Sequence, residues 1–399
     1  MDDHHQNSST KAIGLCLLPS ELMQNIFLSL VLPEIVRLKL VNKSFSNIIS
    51  DQNFIRECNL KSKSTTWLFV YKKRWLRDAT LHGFTDQSDR WFRIPIIDFL
   101  KPINFHGEDL YFLTASGNVF LFASNNVQEV IAVNFVTVTV KIIPPSPLGP
   151  RGTSSWRRSG MKLIPGKLGS DHFRFLFAEF IANRPVLFVY ESESNKWELM
   201  EAEENVDFLP RGSQRGDEYI FLSVVNGARE SVLIATEYNC NSPLILRPRF
   251  DVRGQDERPL TVGFSWGNTI DRLHVYGDGY MMIVKSDGAD PPNRNLRMIK
   301  EIEVWGLSLN GRNWEYMSSV PNVLIEKIKK PYGVMMGCLE ERNGTLRAAM
   351  MSNFEGLWDI VWLTFDVKAK EWSWVPLPDC KMKGFNMAGI SFSSGLALP

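Results

Sequence analysis

Four tryptophans set the tightest limit on how this 399-residue chain can fold. Each follows an apolar or aromatic residue by seven positions: Phe84 and Trp91, Tyr190 and Trp197, Leu307 and Trp314, Phe365 and Trp372. A polar turn lies between them each time: TDQSDR, ESESNK, SLNGRN and DVKAKE. Seven residues suit two antiparallel strand ends joined by a tight turn, with the tryptophan opening the second strand. There it can cover the face between neighbouring sheets. Successive tryptophans are 106, 117 and 58 residues apart, the first two intervals close to twice the third. A period near 50 residues is that of a four-stranded propeller blade. The skipped units are NVFLFASNNVQEVIAVN at 118–134 and SVLIATEYNCNSPLIL at 231–246, which brings the expected count to about six blades.

The rest of the long C-terminal part agrees. Runs such as WLFVY at 67–71, FRFLFAEF at 173–180, VLFVY at 186–190 and DIVWLTF at 359–365 read as strands. Helical periodicity is nearly absent, apart from a weak case at Val323 to Lys330. Many short strands with Gly and Asn turns mean a sandwich, barrel or propeller, and the repeat selects the propeller. Such a ring must close. The strand at Trp67 to Tyr71 is expected to pair with C-terminal strands near Phe385 to Phe392, protecting two edges.

The first sixty residues have a different texture. Leu18-Pro19-Ser20-Glu21-Leu22-Met23-Gln24-Asn25-Ile26-Phe27 opens an amphipathic helix, with Pro19 where a missing N–H costs nothing. Leu22, Ile26, Phe27 and Leu30 read as one apolar stripe. A second helix starts at Pro33-Glu34 and carries Ile35 and Leu38. A third carries Val41, Phe45, Ile48 and Ile49. Ser50 and Asp51 read as caps for a further short helix with Phe54 and Ile55. Helices this short bury too little of their own surface to stand alone, so Leu18, Pro19, Leu22, Met23 and Ile26 call for a second surface.

The Leu-Pro start, the second proline and the Val-x-Lys-Ser-Phe run resemble the F-box over residues 14–60. Asn42 and Phe45 stand where F-boxes often have Cys and Trp. Residues 65–399, through LFVYESESNKW and TFDVKAKEWSWVPLP, resemble the kelch-like propeller of plant F-box/kelch proteins. No Gly-Gly pair occurs, so any kelch repeats are degenerate, and a related F-box-associated β-domain is the other architecture this resemblance allows. The expected fold is therefore mainly β: a disordered tail at 1–13, a three-helix F-box at 14–60, and a kelch-like propeller of about six blades at 65–399.

What the resemblance implies is a non-catalytic substrate receptor of a Skp–cullin–F-box ubiquitin ligase. The adaptor-binding residues would be Leu18, Pro19, Leu22, Met23, Ile26, Phe27, Leu38, Val41, Phe45 and Ile48. The partners would be a Skp-type adaptor and, through it, cullin and a RING subunit, together with an unknown target protein. A scaffold or transcriptional co-regulator that works without ubiquitin is the alternative, and an enzyme built on a propeller ranks last. No cofactor and no metal are expected, and the place of work would be cytoplasm or nucleus.

Other signals narrow the field. A net charge of +1 gives no case for nucleic acid or an anionic membrane. No run of 18 apolar residues occurs, and the start MDDHH makes a poor signal peptide. Cys16, Cys58, Cys240, Cys338 and Cys380 are scattered and odd in number, which points to a reducing compartment. Gly263-Phe264-Ser265-Trp266-Gly267 matches a nucleophile elbow, but a turn and strand follow it where that motif needs a helix, so it reads as chance. The six histidines show no metal-ligating spacing. Arg151, Arg157 and Arg158 in a Pro- and Gly-rich loop, and Arg211 and Arg215 in a second, are candidate contacts for an acidic or phosphorylated target.

Overall fold

The structure is a computed structural model that describes residues 18–62, 64–73, 79–100, 110–156, 160–166, 170–204, 219–225, 231–239, 242–250, 272–288, 296–378, 382–383 and 386–399. Four helices come first: α1 (Ser20–Ser29), α2 (Leu32–Leu38), α3 (Lys43–Ile49) and α4 (Gln52–Ser62). A six-blade β-propeller follows.

Local chemistry sets the helix boundaries. Pro19 is the N-cap of α1, and its carbonyl accepts from the Leu22 and Met23 N–H groups, each at 3.1 Å. Pro33 sits in the first turn of α2, where Glu34 accepts from the Val31 N–H at 3.4 Å. Asn42 caps α3 from outside it, its Oδ1 accepting from the Phe45 N–H at 2.8 Å. Asp51 does the same for α4, accepting from the Asn53 and Phe54 N–H groups at 3.0 and 3.1 Å. Ser50 instead closes α3 as its C-cap.

The blades follow chain order with one exception. Blade 2 holds Leu110–Ser116, Val119–Ser124, Val130–Asn134 and Thr139–Ile143, and blade 3 runs from Gly160–Pro165 to Lys196–Glu201. Blade 4 is built on Tyr219–Val225 and Ser231–Glu237, blade 5 on Arg272–Gly277 through Asn313–Ser319, and blade 6 on Val334–Arg342 through Glu371–Val375. Blade 1 is composite. Its three outer strands, Thr66–Lys73, Thr80–Thr85 and Phe92–Pro95, follow α4 directly, while its inner strand is the C-terminal Asn386–Ser394. Trp67 pairs with Ser393 and Leu68 with Phe392, so the expected ring closure is present. The weak helical signal also holds, as Asn322–Ile328.

The tryptophan hairpins lie where the spacing places them. Tyr190 is directly opposite Trp197, Leu307 opposite Trp314 and Phe365 opposite Trp372, in blades 3 and 6 across the outermost strand pair and in blade 5 one strand further in, beneath Arg249–Phe250. The Phe84 and Trp91 rings are 5.2 Å apart. Three of these indoles also reach the preceding blade in the ring. Trp91 Nε1–H donates to the Pro378 carbonyl (2.6 Å), Trp197 to Pro144 (2.9 Å) and Trp372 to Ser318 Oγ (3.0 Å). These three tryptophans therefore close their own hairpins and tie their blades to the one before.

Near the axis the inner strands converge closely. A Cβ added to Gly160 would lie 2.2 Å from the Ser223 carbonyl oxygen, and one on Gly277 2.2 Å from that of Leu339. Only glycine fits such an approach.

Candidate docking surface and central channel

The helical unit divides its apolar residues between two faces. Met23, Phe27, Phe45 and Ile48 are buried with Ile35 and Phe54, and Phe27 meets Phe45 edge-on with centroids 5.0 Å apart. These residues join the same apolar cluster as Trp67, Phe69 and Phe120 of the propeller. Leu22 and Ile26 point outward, 51% and 39% exposed, beside an exposed Pro19. Leu40 and Val41, in the turn between α2 and α3, are 85% and 62% exposed.

Two corrections to the sequence reading follow. Leu22 and Phe27 do not share a stripe, because five helical residues turn about 140° beyond a full circle. Met23, Phe27, Phe45 and Ile48 form the unit's own core and are not available as a contact surface. Pro19, Leu22, Ile26 and Val41 remain accessible. Leu18 and Leu38 are partly buried against the shared core.

The unit is fixed to the ring at several points. The Asn59 side chain pairs with the Leu398 backbone in both directions, accepting from its N–H at 2.8 Å and donating to its carbonyl at 3.0 Å. Asn118 of blade 2 does the same for Ala397, at 2.9 and 2.7 Å. The two amides imitate strand pairing and hold the C-terminal tail between α4 and the propeller. Glu34 of α2 pairs with Arg90 of the turn leading into the outer strand of blade 1. Lys61 Nζ donates to the Leu28 carbonyl at 2.6 Å, joining α4 to α1.

The candidate target-binding arginines fare differently. Arg151 is buried at 7% exposure, bonded to Glu179 at 2.6 Å and stacked on Trp156 and Phe177. Burial pushes its pKa down and Glu179 partly restores it. It holds blade 3 together and offers nothing to a partner, which overturns that expectation. Arg157, Arg158, Arg211 and Arg215 lie outside the described residues, as does the G-x-S-x-G run.

Along the axis lies a cavity of about 320 Å³, lined by the inner strands. It gathers polar residues that are far apart in the sequence. Lys162 Nζ of blade 3 bonds to Asp278 of blade 5 at 2.5 Å. Asp278 also accepts from the Glu341 N–H of blade 6 at 3.3 Å, and Ser394 Oγ of blade 1 donates to the neighbouring Glu340 at 3.1 Å. Burial pushes the Glu340 carboxyl above its ordinary pKa, Asp278 adds to the effect, and Lys162 opposes it. Burial opposes the charge on Lys162, but Asp278 more than offsets this and the ammonium is strengthened. The arrangement braces four blades across the axis. No signal in the sequence indicated it, since Lys162 and Asp278 are 116 positions apart. Among the described residues no group of three His, Cys, Asp or Glu side chains is placed to hold a metal ion. Cys58 and Cys338 are free thiols.

Comparison with known proteins agrees with this division. An F-box domain matches residues 15–57, which take in α1 to α3 and the first half of α4. The chain is thus an F-box domain followed by a six-blade propeller, and F-box domains typically bind Skp-type adaptors. No curated protein matches the chain. Among solved structures, the nidogen/laminin complex aligns with a TM-score of 0.42 at 8% identity, over 83% of this chain and 100% of that one. TolB from Acinetobacter baumannii aligns at 0.44 and 8%, over 88% and 73%. Apo AztD from Citrobacter koseri gives 0.30 and 11%, over 84% and 100%. At these scores the likenesses carry no argument about function.

Proposed function

We infer that this chain is the substrate-recognition subunit of a Skp–cullin–RING ubiquitin ligase. The observation that carries this reading is the F-box at residues 15–57, whose Pro19, Leu22 and Ile26 stand exposed while Met23 and Phe27 anchor it to a propeller. A Skp-type adaptor would cover the exposed side chains; Leu22 and Ile26, already about half-buried, would each gain on the order of half of the roughly 1.5–3 kcal/mol that full burial of such a side chain is worth. The adaptor would connect the chain to cullin and a RING subunit, and the propeller loops would hold the target protein. The chain itself does no chemistry on this reading. It raises the effective concentration of a target lysine near the ubiquitin thioester. The recurring hairpin tryptophans support propeller repeats of a degenerate kelch-like kind. The place of work is the cytoplasm or nucleus.

The test is adaptor capture. Replacing Leu18 and Pro19 together by Ala is expected to abolish co-purification of a Skp-type adaptor while the propeller stays folded. Undiminished co-purification with that double variant would overturn the docking assignment.

A further inference from the structure

A groove of about 550 Å³ runs along the junction between the helical unit and blade 1. Its apolar walls are Leu38 and Val41 on one side and Trp91 and Phe92 on the other. Its rim carries Arg37, Arg90 and Arg93 against one carboxylate, Glu34. Glu34 is already paired with Arg90. The rim therefore keeps the positive charge of Arg37 and Arg93, two exposed side chains on opposite walls. The walls are fixed to each other, since Arg37 also donates to the Arg93 carbonyl at 3.4 Å. Val41, exposed in the turn between α2 and α3, lines the groove itself.

We propose that this groove is a second seat for the adaptor that covers α1, and that it takes an acidic segment of that adaptor bearing a large apolar side chain. The proposal rests on the reading under Proposed function. Two features select the occupant. An apolar floor under a net positive rim fits a carboxylate-rich segment with an apolar anchor, because guanidinium groups pair well with carboxylates. Val41 also belongs to the accessible apolar side chains of the helical unit, so a partner seated on that unit meets the groove there. A contact with Arg93 and Trp91 touches the propeller itself. It would fix the direction in which the substrate-binding ring faces relative to the ligase, beyond what the F-box alone can do.

The experiment uses the purified full chain and a purified Skp-type adaptor. Hydrogen exchange of the complex is expected to slow at 90–95 as well as across α1. The double variant Arg37→Glu/Arg93→Glu should bind the adaptor on the order of tenfold more weakly and with a flatter salt dependence, as for reversed rim charges. Wild-type binding with no slowing at 90–95 and unchanged affinity of the double variant would overturn the proposal while leaving the F-box assignment standing. Failure of the wild-type chain to bind the adaptor would overturn both. A dimer of the chain alone in light scattering, dissolved by the same double variant, would assign the groove to a second copy and overturn the proposal too.

Discussion

The helices and the propeller are both rich in apolar side chains, and they dispose of them in opposite ways. The ring closes on itself: its last strand completes its first blade, and the tryptophans tie blade to blade. The helical unit buries one face of α1 and leaves Leu22 and Ile26 on the other. Leu40 and Val41 of the same short unit are exposed as well. Isolated exposed apolar residues need no explanation, but a cluster on one small unit marks an interaction surface. A closed ring can afford a surface of variable loops. A four-helix unit this short gains its last stability from neighbours, one inside the chain and, on the proposed reading, one outside it.

The largest expected effect strikes the closed side of that contrast. Deleting residues 386–399 removes the inner strand of blade 1 and the partners of Asn59 and Asn118 together. The exposed edge of Thr66–Lys73 and the lost axis contacts should abolish a single cooperative unfolding transition for the ring. Thermal unfolding unchanged by the deletion would mean that closure contributes nothing, and the contrast would fail.

Next come two substitutions on one helix. Phe27→Ala should lower stability by about 3–5 kcal/mol, as for a buried aromatic side chain, with adaptor binding lost only as a consequence. Leu22→Glu should leave the unfolding midpoint nearly unchanged and weaken adaptor capture directly. Calorimetry paired with a binding assay separates the two. Equal destabilisation by both would show that α1 does not have two distinct faces.

That division of α1 is where sequence reading reached its limit. The hairpin pairs were legible because a turn of fixed length forces the partner position, as with Tyr190 and Trp197. The closure of Trp67–Tyr71 by the C-terminus was legible because an unpaired strand edge is costly in any propeller. The docking side chains were legible as a group, but Leu22 and Phe27 were merged into one stripe although helix geometry separates them. Arg151 looked like a loop residue because nothing local announces Glu179 and Phe177 beside it. The axial brace was invisible for the same reason. Ser394 and Glu340 meet only after the ring has closed.

The smallest expected effect tests the contrast through pH. The described helices hold no histidine, whereas His82 is buried in the second strand of blade 1. Burial, with Lys72 and Arg93 nearby, pushes its pKa down to about 3. In the unfolded chain the same imidazole titrates near its ordinary value of about 6.5. Between these values the unfolded chain binds a proton that the native ring refuses. The stability contributed by neutral His82 is therefore complete above about pH 6.5 and is lost progressively as pH falls toward 3. From pH 7 to 5.5 the loss is about 1 kcal/mol for a single such group. In a chain of this size that lowers the unfolding midpoint by roughly 1–3 °C. His82→Gln should remove this share of the slope and leave adaptor capture by the exposed face of α1 untouched, because the imidazole is buried inside the ring. Identical midpoint shifts in wild type and variant between those two pH values would show that His82 titrates normally in the folded ring.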